Sequence, residues 1–178
     1  MSKSVLLILL ATLIFSCSEK NGDGIGDNIY DGPTARATKV RTNYTEIGFS
    51  KIKLKALTQL EFANKDKEFP DSLYLQFFKV THGEIPTADL RSDFAHYYAD
   101  KEHWHLTGNV IYTDLLENKV LKTEELYWSP RKELLWSEVF VHITTPGREL
   151  MGDGLEAKDD FSWYKIKKPR GRKMNGRP

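Results

Sequence analysis

Four side chains near the middle of the chain are of types that bind transition metals: His96, Asp100, His103 and His105. Imidazole nitrogens and carboxylate oxygens ligate such ions, and residues two apart on a strand share one face. Trp104 lies between His103 and His105 and is expected on the apolar face of a strand. Both histidines are therefore expected on the opposite face, pointing to solvent. No third ligand follows at a recognisable spacing. The sequence therefore predicts neither a metal site nor a cofactor.

Four acidic residues near the C-terminus, Asp153, Glu156, Asp159 and Asp160, include possible pairs for acid/base chemistry of the glycosidase type. That chemistry needs two carboxylates flanking one bond, whereas acidic residues in turns and at strand ends are usually only solvated. The sequence contains neither a Gly-x-Ser-x-Gly elbow nor a P-loop, so no nucleophile or phosphate cradle stands out. We expect a protein that is not an enzyme.

Cys17 is the only cysteine, so it cannot form an intramolecular disulfide. It follows Lys3, an apolar run of 11 residues (5–15) and Ser16. That run is shorter than the roughly 20 residues of a membrane-spanning helix and has the order of an export signal. Residues 13–17 resemble the lipobox of bacterial lipoproteins, whose cysteine carries diacylglycerol. We expect a cleaved signal peptide at 1–16 and a lipid anchor on Cys17, acylated with fatty acids such as palmitate.

Charge and composition indicate which partners are disfavoured and how the remainder of the chain is divided into a tether, a domain and a tail. The 26 basic and 25 acidic residues nearly cancel, which disfavours nucleic acid as a partner. A flexible tether is expected over 17–43, which begins with Gly, Asp, Ser and Asn. One domain is expected over 44–168 and a basic, disordered tail over 169–178. The tail either contacts anionic lipid headgroups or is merely solvated.

The central segments alternate with period two, as where Lys51 and Lys53 flank Ile52, and this pattern indicates half-buried strands. Trp104 and Leu135 are 31 residues apart, as are Val110 and Val141. A repeated strand-turn-strand unit predicts an all-β, antiparallel meander, closed as a barrel, a sandwich or an open trough. The residues expected to point inward are Trp104, Leu106, Val110, Leu135, Val139, Val141 and Ile143.

Particular residues within these units resemble the LptC family, especially its short lipoprotein form. The first matching stretch, residues 68–78, looks like the family's Phe-Pro-x-Gly-Leu strand, with Ser72 where Gly is commoner. The resemblance rests on the order and spacing of the stretches between about residues 49 and 171. The other matching stretches are 94–98 with Trp104, 108–110, 121–128, 140–145, 151–157 and 161–164.

The resemblance implies an open, twisted β-jelly roll, the OstA-like trough, on the periplasmic side of the inner membrane. It implies that the chain accepts lipopolysaccharide from the inner-membrane ABC transporter complex and passes it to a periplasmic bridge protein of the same fold, LptA-like. The seven inward residues become the lipid-binding trough, with an incoming edge at 49–57 and an outgoing edge at 161–167. The alternative is a lipid-anchored β-scaffold or binding module of an envelope complex that carries no lipid.

Overall fold

The computed structural model describes residues 30–171, and most of these form β-strands. The predicted all-β fold class is confirmed. Two single-turn 3-10 helices, Val80–His82 and Pro130–Lys132, interrupt the strands. The strands are β1 (Ala35–Glu46), β2 (Phe49–Glu61), β3 (Lys67–Phe69), β4 (Leu73–Phe78), β5 (Pro86–Ser92), β6 (Phe94–Tyr98), β7 (His103–Asp114), β8 (Lys119–Ser129), β9 (Leu134–Thr145), β10 (Arg148–Lys158) and β11 (Tyr164–Pro169).

The strands form one antiparallel meander. Two strands that lie end to end count here as one row, and each row pairs with the rows before and after it in sequence. β3 and β4 lie end to end along β2, and β5 and β6 lie end to end along β7. Eleven described strands therefore fill nine rows. β1 pairs only with β2, and β11 pairs only with β10, so these two strands are the edges of the sheet.

A line of irregularities crosses the sheet near its middle. In β8, Leu121 and Thr123 point inward before the irregularity, whereas Leu126 and Trp128 point inward after it. Each strand can thus bend and still present both of its halves to the same interior. Register shifts of this kind lie between Thr107 and Val110, between Thr123 and Tyr127, and between Asp153 and Leu155; breaks at 70–72 and at Asp93 continue the line.

Gly108 shows why this line lies where it does in β7. Its φ of +74° is a conformation that side chains rarely adopt, and an added Cβ would lie 3.0 Å from the Cβ of Asp93. Asp93 is the residue that separates β5 from β6. The bend in β7 and the break in the neighbouring row therefore occur side by side and depend on the same close approach.

The bend brings the two halves of the sheet face to face over a single core. Phe77 in β4 packs edge-on against Trp128 at the far end of β8, with ring centroids 5.3 Å apart. The Tyr112 hydroxyl in β7 donates a hydrogen bond of 2.9 Å to the carbonyl oxygen of Asp159, which follows β10. These contacts join residues from opposite sides of the bend, so each half covers the apolar face of the other.

Two expectations about strand positions are corrected here, and a third, which concerns Val139, follows. The predicted tether (17–43) overlaps β1, so the folded domain begins at Ala35 instead of residue 44. β1 is mostly exposed, which explains why its sequence lacks a clear apolar alternation. The predicted incoming edge, 49–57, belongs to β2, which is paired on both sides; the edge is β1. The predicted outgoing edge, 161–167, overlaps the true edge strand β11.

Val139 is the third correction. It was expected to point inward, but 37% of its surface is exposed. Two residues of β9, Glu138 and Val139, lie opposite the single residue Gly154 of β10. This extra residue turns Val139 outward, and the Thr123 hydroxyl donates to the Phe140 carbonyl oxygen beside it.

The signal peptide at 1–16 and the anchor at Cys17 lie outside the described residues, as does the tail from 172 onward. Within 30–171 no helix has the length and apolar character needed to cross a bilayer.

The close packing of β11 on β10 gives a testable prediction. A Cβ at Gly152 would overlap the Lys168 carbonyl oxygen and the Ile166 side chain of β11. We therefore expect Gly152→Ala to detach the edge strand and to raise amide hydrogen exchange across β11 by about tenfold or more, with β7 and β8 unchanged. Gly171→Ala is the matched control, because nothing lies within 4 Å of its added Cβ. Equal exchange in both variants would contradict this packing.

Candidate functional site

A groove lined by both apolar and charged residues opens between the two facing halves of the sheet. Two adjoining cavities of about 330 and 490 Å³ share Ile52, Trp128 and Pro130, and together they form what we call the interior groove. Volumes in this range are typical of sites that bind small molecules. Its principal apolar lining residues are Tyr44, Ile52, Leu54, Leu75, Phe77, Tyr97, Trp104, Tyr112, Trp128 and Pro130.

Aromatic rings form the wall of the interior groove. The rings of Trp104 and Trp128 stack at 6.0 Å, and Tyr97 lies 5.1 Å from Trp104. Phe77 lies 6.2 Å from Tyr112 at the other end. Rings that pack against one another in this way hold a broad apolar surface rigid, because each has few alternative positions. The wall can accept flexible apolar groups without losing its own shape.

Two buried polar groups belong to this wall. Burial raises the pKa of Tyr112, with nearby carboxylates adding to the effect, so its hydroxyl remains neutral and donates to Asp159. The indole N–H of Trp128 is buried and has no hydrogen-bond acceptor, although it lies near enough to the Asp159 carboxyl to lower that group's pKa. Burial nevertheless raises the pKa of Asp159 overall, and the charges of Glu133 and Asp160 add to this.

An ion pair spans the mouth of the interior groove. Lys79 Nζ, just after β4, lies 3.2 Å from Asp160 Oδ2, just after β10. Partial burial by itself would raise the pKa of Asp160. Hydrogen bonds from Ser162 and Lys79 outweigh burial and lower the pKa to about 2. The pair therefore links the two halves of the sheet at every ordinary pH.

The seven residues predicted to form the trough do not all lie at the groove. Trp104 lines it, and Val139 points outward. The other five are buried in the closely packed core, where neighbouring side chains surround them. They are Leu106, Val110, Leu135, Val141 and Ile143.

Sequence reasoning missed most of the lining residues, including Ile52, Phe77, Tyr112 and Trp128. Parity identifies Tyr112 and Trp128 as inward, because they share a face with Val110 and Leu126. Parity alone does not separate inward residues that line the groove from inward residues that pack against other side chains. That distinction depends on which strand ends stand apart when the sheet bends.

The residues considered for metal binding lie on the outer face with other partners. His96 Nε2 lies 3.3 Å from Asp66 and Nδ1 lies 3.2 Å from Glu68, while His105 Nε2 lies 3.1 Å from Glu125. The His105 ring stacks on another outer-face ring, Tyr127, at 4.4 Å. In the part of the chain that the structure describes, no three His, Cys, Asp or Glu side chains come together as a metal-binding group.

The four acidic residues considered for catalysis are divided between different surroundings. Asp153 forms a two-pronged ion pair with Arg170, at 2.7 to 3.0 Å. Glu156 is exposed on β10 and lies opposite Lys165 of β11 in the register. Only Asp159 and Asp160 lie at the mouth of the interior groove.

No protein-family model matches the chain, and no curated protein matches it. Function must therefore be inferred from the groove, from the two sheet edges and from the sequence motifs.

The distinction between core and outer face is testable by mutation. Leu106 is fully buried, so we expect Leu106→Ala to lower the free energy of unfolding by about 2–5 kcal/mol. Val139→Ala removes a half-exposed side chain from the same sheet and is expected to cost less than about 1 kcal/mol. Urea unfolding monitored by tryptophan fluorescence measures both. Similar losses in the two variants would argue against the outward position of Val139.

The Lys79–Asp160 pair predicts a pH dependence of stability. The pKa of Asp160 is about 2 in the folded chain against an ordinary 3.8, so the folded state binds fewer protons between these values. The stability it contributes is present above pH 3.8 and is lost as the pH falls toward 2. We expect Asp160→Asn to reduce this fall by less than ~1 kcal/mol, because the pair is partly screened by solvent.

Urea unfolding at pH 6 and at pH 2.5 gives the measurement. Asp71→Asn, which changes an exposed carboxylate in a turn, is the control. An identical pH dependence in wild type and Asp160→Asn would show that the ion pair does not contribute to stability.

Proposed function

We propose that this chain is a non-enzymatic, LptC-like component of a periplasmic bridge. In this role it accepts lipopolysaccharide from the inner-membrane ABC transporter complex and passes it toward the outer membrane. The observation that carries the proposal is the interior groove, a space with an aromatic wall along an antiparallel sheet whose two edge strands, β1 and β11, have no second partner strand among the described residues. The sequence resemblance to the LptC family points to the same role.

The chemistry of the groove suits acyl chains. Exposing a methylene to water costs about 0.8 kcal/mol, so a lipid carrier needs a continuous apolar surface that the chain can enter from the side. The smaller cavity is lined mainly by aromatic and aliphatic side chains, whereas the larger cavity is also lined by charged residues of both signs. The lysines are Lys51, Lys67, Lys79 and Lys158, and the acidic residues are Glu46, Asp114, Glu117, Glu133, Asp159 and Asp160. Lys51 and Lys158 are paired with Glu46 and Glu133, and an ammonium group released from such a partner is suited to the phosphate of an anionic lipid.

The edges of the sheet suit assembly with proteins of the same fold. Within residues 30–171, backbone N–H and C=O groups along one side of β1 and of β11 have no strand partner, and such edges accept an added strand from a neighbour. The resemblance assigns one edge to the transporter complex and the other to an LptA-like bridge protein. β11 carries Lys165, Lys167 and Lys168, which discourage indiscriminate pairing with other strand edges.

A second candidate is a lipid-anchored scaffold that carries no lipid. It is favoured by the apolar tips of three successive turns at one end of the sheet, whereas most turn residues at the other end are polar. Ile47, at the first of these tips, is 90% exposed. Exposed apolar groups gathered in this way are typical of protein-binding surfaces. The others are Phe49, Val80, Ile85, Leu115 and Leu116.

Site-specific photo-crosslinking in cells tests lipid carriage. A photoreactive phenylalanine analogue at Phe77 or at Trp104, both in the groove, is expected to give lipopolysaccharide adducts. The same analogue at Phe140, which is aromatic but exposed on the outer face, is the matched control and is expected to give at least about tenfold less.

The two outcomes separate the candidates. Adducts at the groove positions alone would support the lipid carrier. If folded protein at normal abundance gives no adduct at either groove position, lipid carriage is refuted and the scaffold becomes the better account.

A further inference from the structure

The connection between β10 and β11, residues 159–163, crosses the mouth of the interior groove, and we call it the strap. It has no strand pairing. Three side chains from the opposite half of the sheet hold it in place. Lys79 Nζ donates to Asp160 Oδ2 at 3.2 Å, the Tyr112 hydroxyl donates to the Asp159 carbonyl at 2.9 Å, and Lys119 Nζ donates to the Phe161 carbonyl at 3.3 Å.

Phe161 is the only apolar strap residue that enters the interior. Its side chain is fully buried, and its ring stacks on Tyr112 at 5.1 Å and on Tyr164 at 5.2 Å. Tyr112 is itself a lining residue of the groove, and the Phe161 ring packs against it within the buried core. The other aromatic strap residue, Trp163, is half-exposed.

The backbone of the strap is held in an unfavourable conformation. Phe161 has φ of +56°, in the left-handed region that bulky residues avoid. The local bonds that maintain it are short-range, from the Phe161 N–H to the Lys158 carbonyl and from the Ser162 N–H to the Asp160 carboxylate. A strand in the middle of the sheet would instead be held by a ladder of backbone hydrogen bonds to a neighbouring strand on each side. Two further backbone bonds restrain the strap, from the Asp159 N–H to the Glu133 carbonyl and from the Lys158 N–H to the Trp163 carbonyl. The strap thus combines a buried ring and a strained backbone with single hydrogen bonds in place of strand pairing.

We propose that the strap is a displaceable lid and that Phe161 is a plug, filling the end of the acyl-binding groove when the groove is empty. An entering acyl chain replaces the ring against Tyr112, the strap moves outward, and the Lys79–Asp160 pair separates. The freed Lys79 ammonium then pairs with the anionic head of the ligand. The ligand class is an acyl amphiphile with a negatively charged head, and this inference rests on the proposed function.

The exchange is balanced in its chemistry. Lys79 gives up one carboxylate and gains one anionic group, while the Asp160 carboxylate moves outward into water and keeps its hydrogen bond from the Ser162 N–H. The apolar surface that Phe161 covered is covered again by methylenes, and the left-handed backbone at Phe161 is released. Opening therefore exposes little new apolar surface, provided that ligand enters as the strap leaves.

Binding of a fluorescent fatty acid, cis-parinaric acid, to the full-length protein tests the lid. Asp160→Asn removes the ion pair but leaves Lys79 in place, so we expect the probe to bind about threefold to fivefold more tightly. Phe161→Ala removes the plug, and we expect a gain at least as large. The reversed pair, Lys79→Glu with Asp160→Lys, restores the link across the mouth but replaces the Lys79 ammonium with a carboxylate, so we expect it to bind the probe more weakly than wild type does.

The control variant is Arg131→Glu, which breaks a more exposed ion pair with Glu102 at another turn. We expect its affinity for the probe to equal that of wild type. Amide hydrogen exchange on wild type provides a second readout that does not depend on any variant folding: probe binding is expected to raise exchange across 159–163 while leaving β8 unchanged.

The outcomes distinguish the two proposals. If wild type and all variants fail to bind the probe, both the proposed carriage of acyl chains and the proposed lid are refuted. If wild type binds but Asp160→Asn binds no more tightly and exchange in the strap does not rise, the lid is refuted while carriage stands. Tighter binding in Asp160→Asn with increased strap exchange would support both.

Discussion

The structure depends on one physical constraint: an extended sheet with one apolar face must cover that face or associate with something else. In this chain the sheet covers itself. A line of bulges and breaks crosses the rows near their middle, and both halves of the bent strands keep their apolar residues on the inner side. The contact between Phe77 and Trp128 shows the result, because each ring comes from a different side of the bend.

Bending does not cover the apolar face of the sheet completely, and the interior groove is the part that stays uncovered. Where the strands pack closely, inward residues such as Leu106 and Ile143 meet other side chains and form a solid core. Where strand ends diverge, rings such as Trp104 and Tyr112 border open space. A sheet closed into a barrel would have no free edges and no opening along its side, so the free edges are a consequence of the unclosed topology.

The mouth is held by polar contacts, whereas the core is held by packing. Lys79, Tyr112 and Lys119 reach across to the strap, and their bonds are the kind that can exchange for a ligand's charge or for water. Core packing cannot be exchanged in that way without leaving a cavity. The proposed passage of a lipid uses these exchangeable contacts and, in addition, requires the buried Phe161 ring to leave its place in the core.

The sequence by itself determined the all-β meander, because alternation with period two and the 31-residue repeat are local consequences of how strands expose their faces. It also determined which parity is buried in most strands, as for Val110 and Val141. It did not reveal β1, since an exposed edge strand needs no apolar alternation. Only the tertiary structure decided that Val139 turns outward, through an extra residue in β9, and that Phe77 and Trp128 border the groove. Those outcomes depend on where the sheet bends and which strand ends separate, and these are relations between residues distant in sequence.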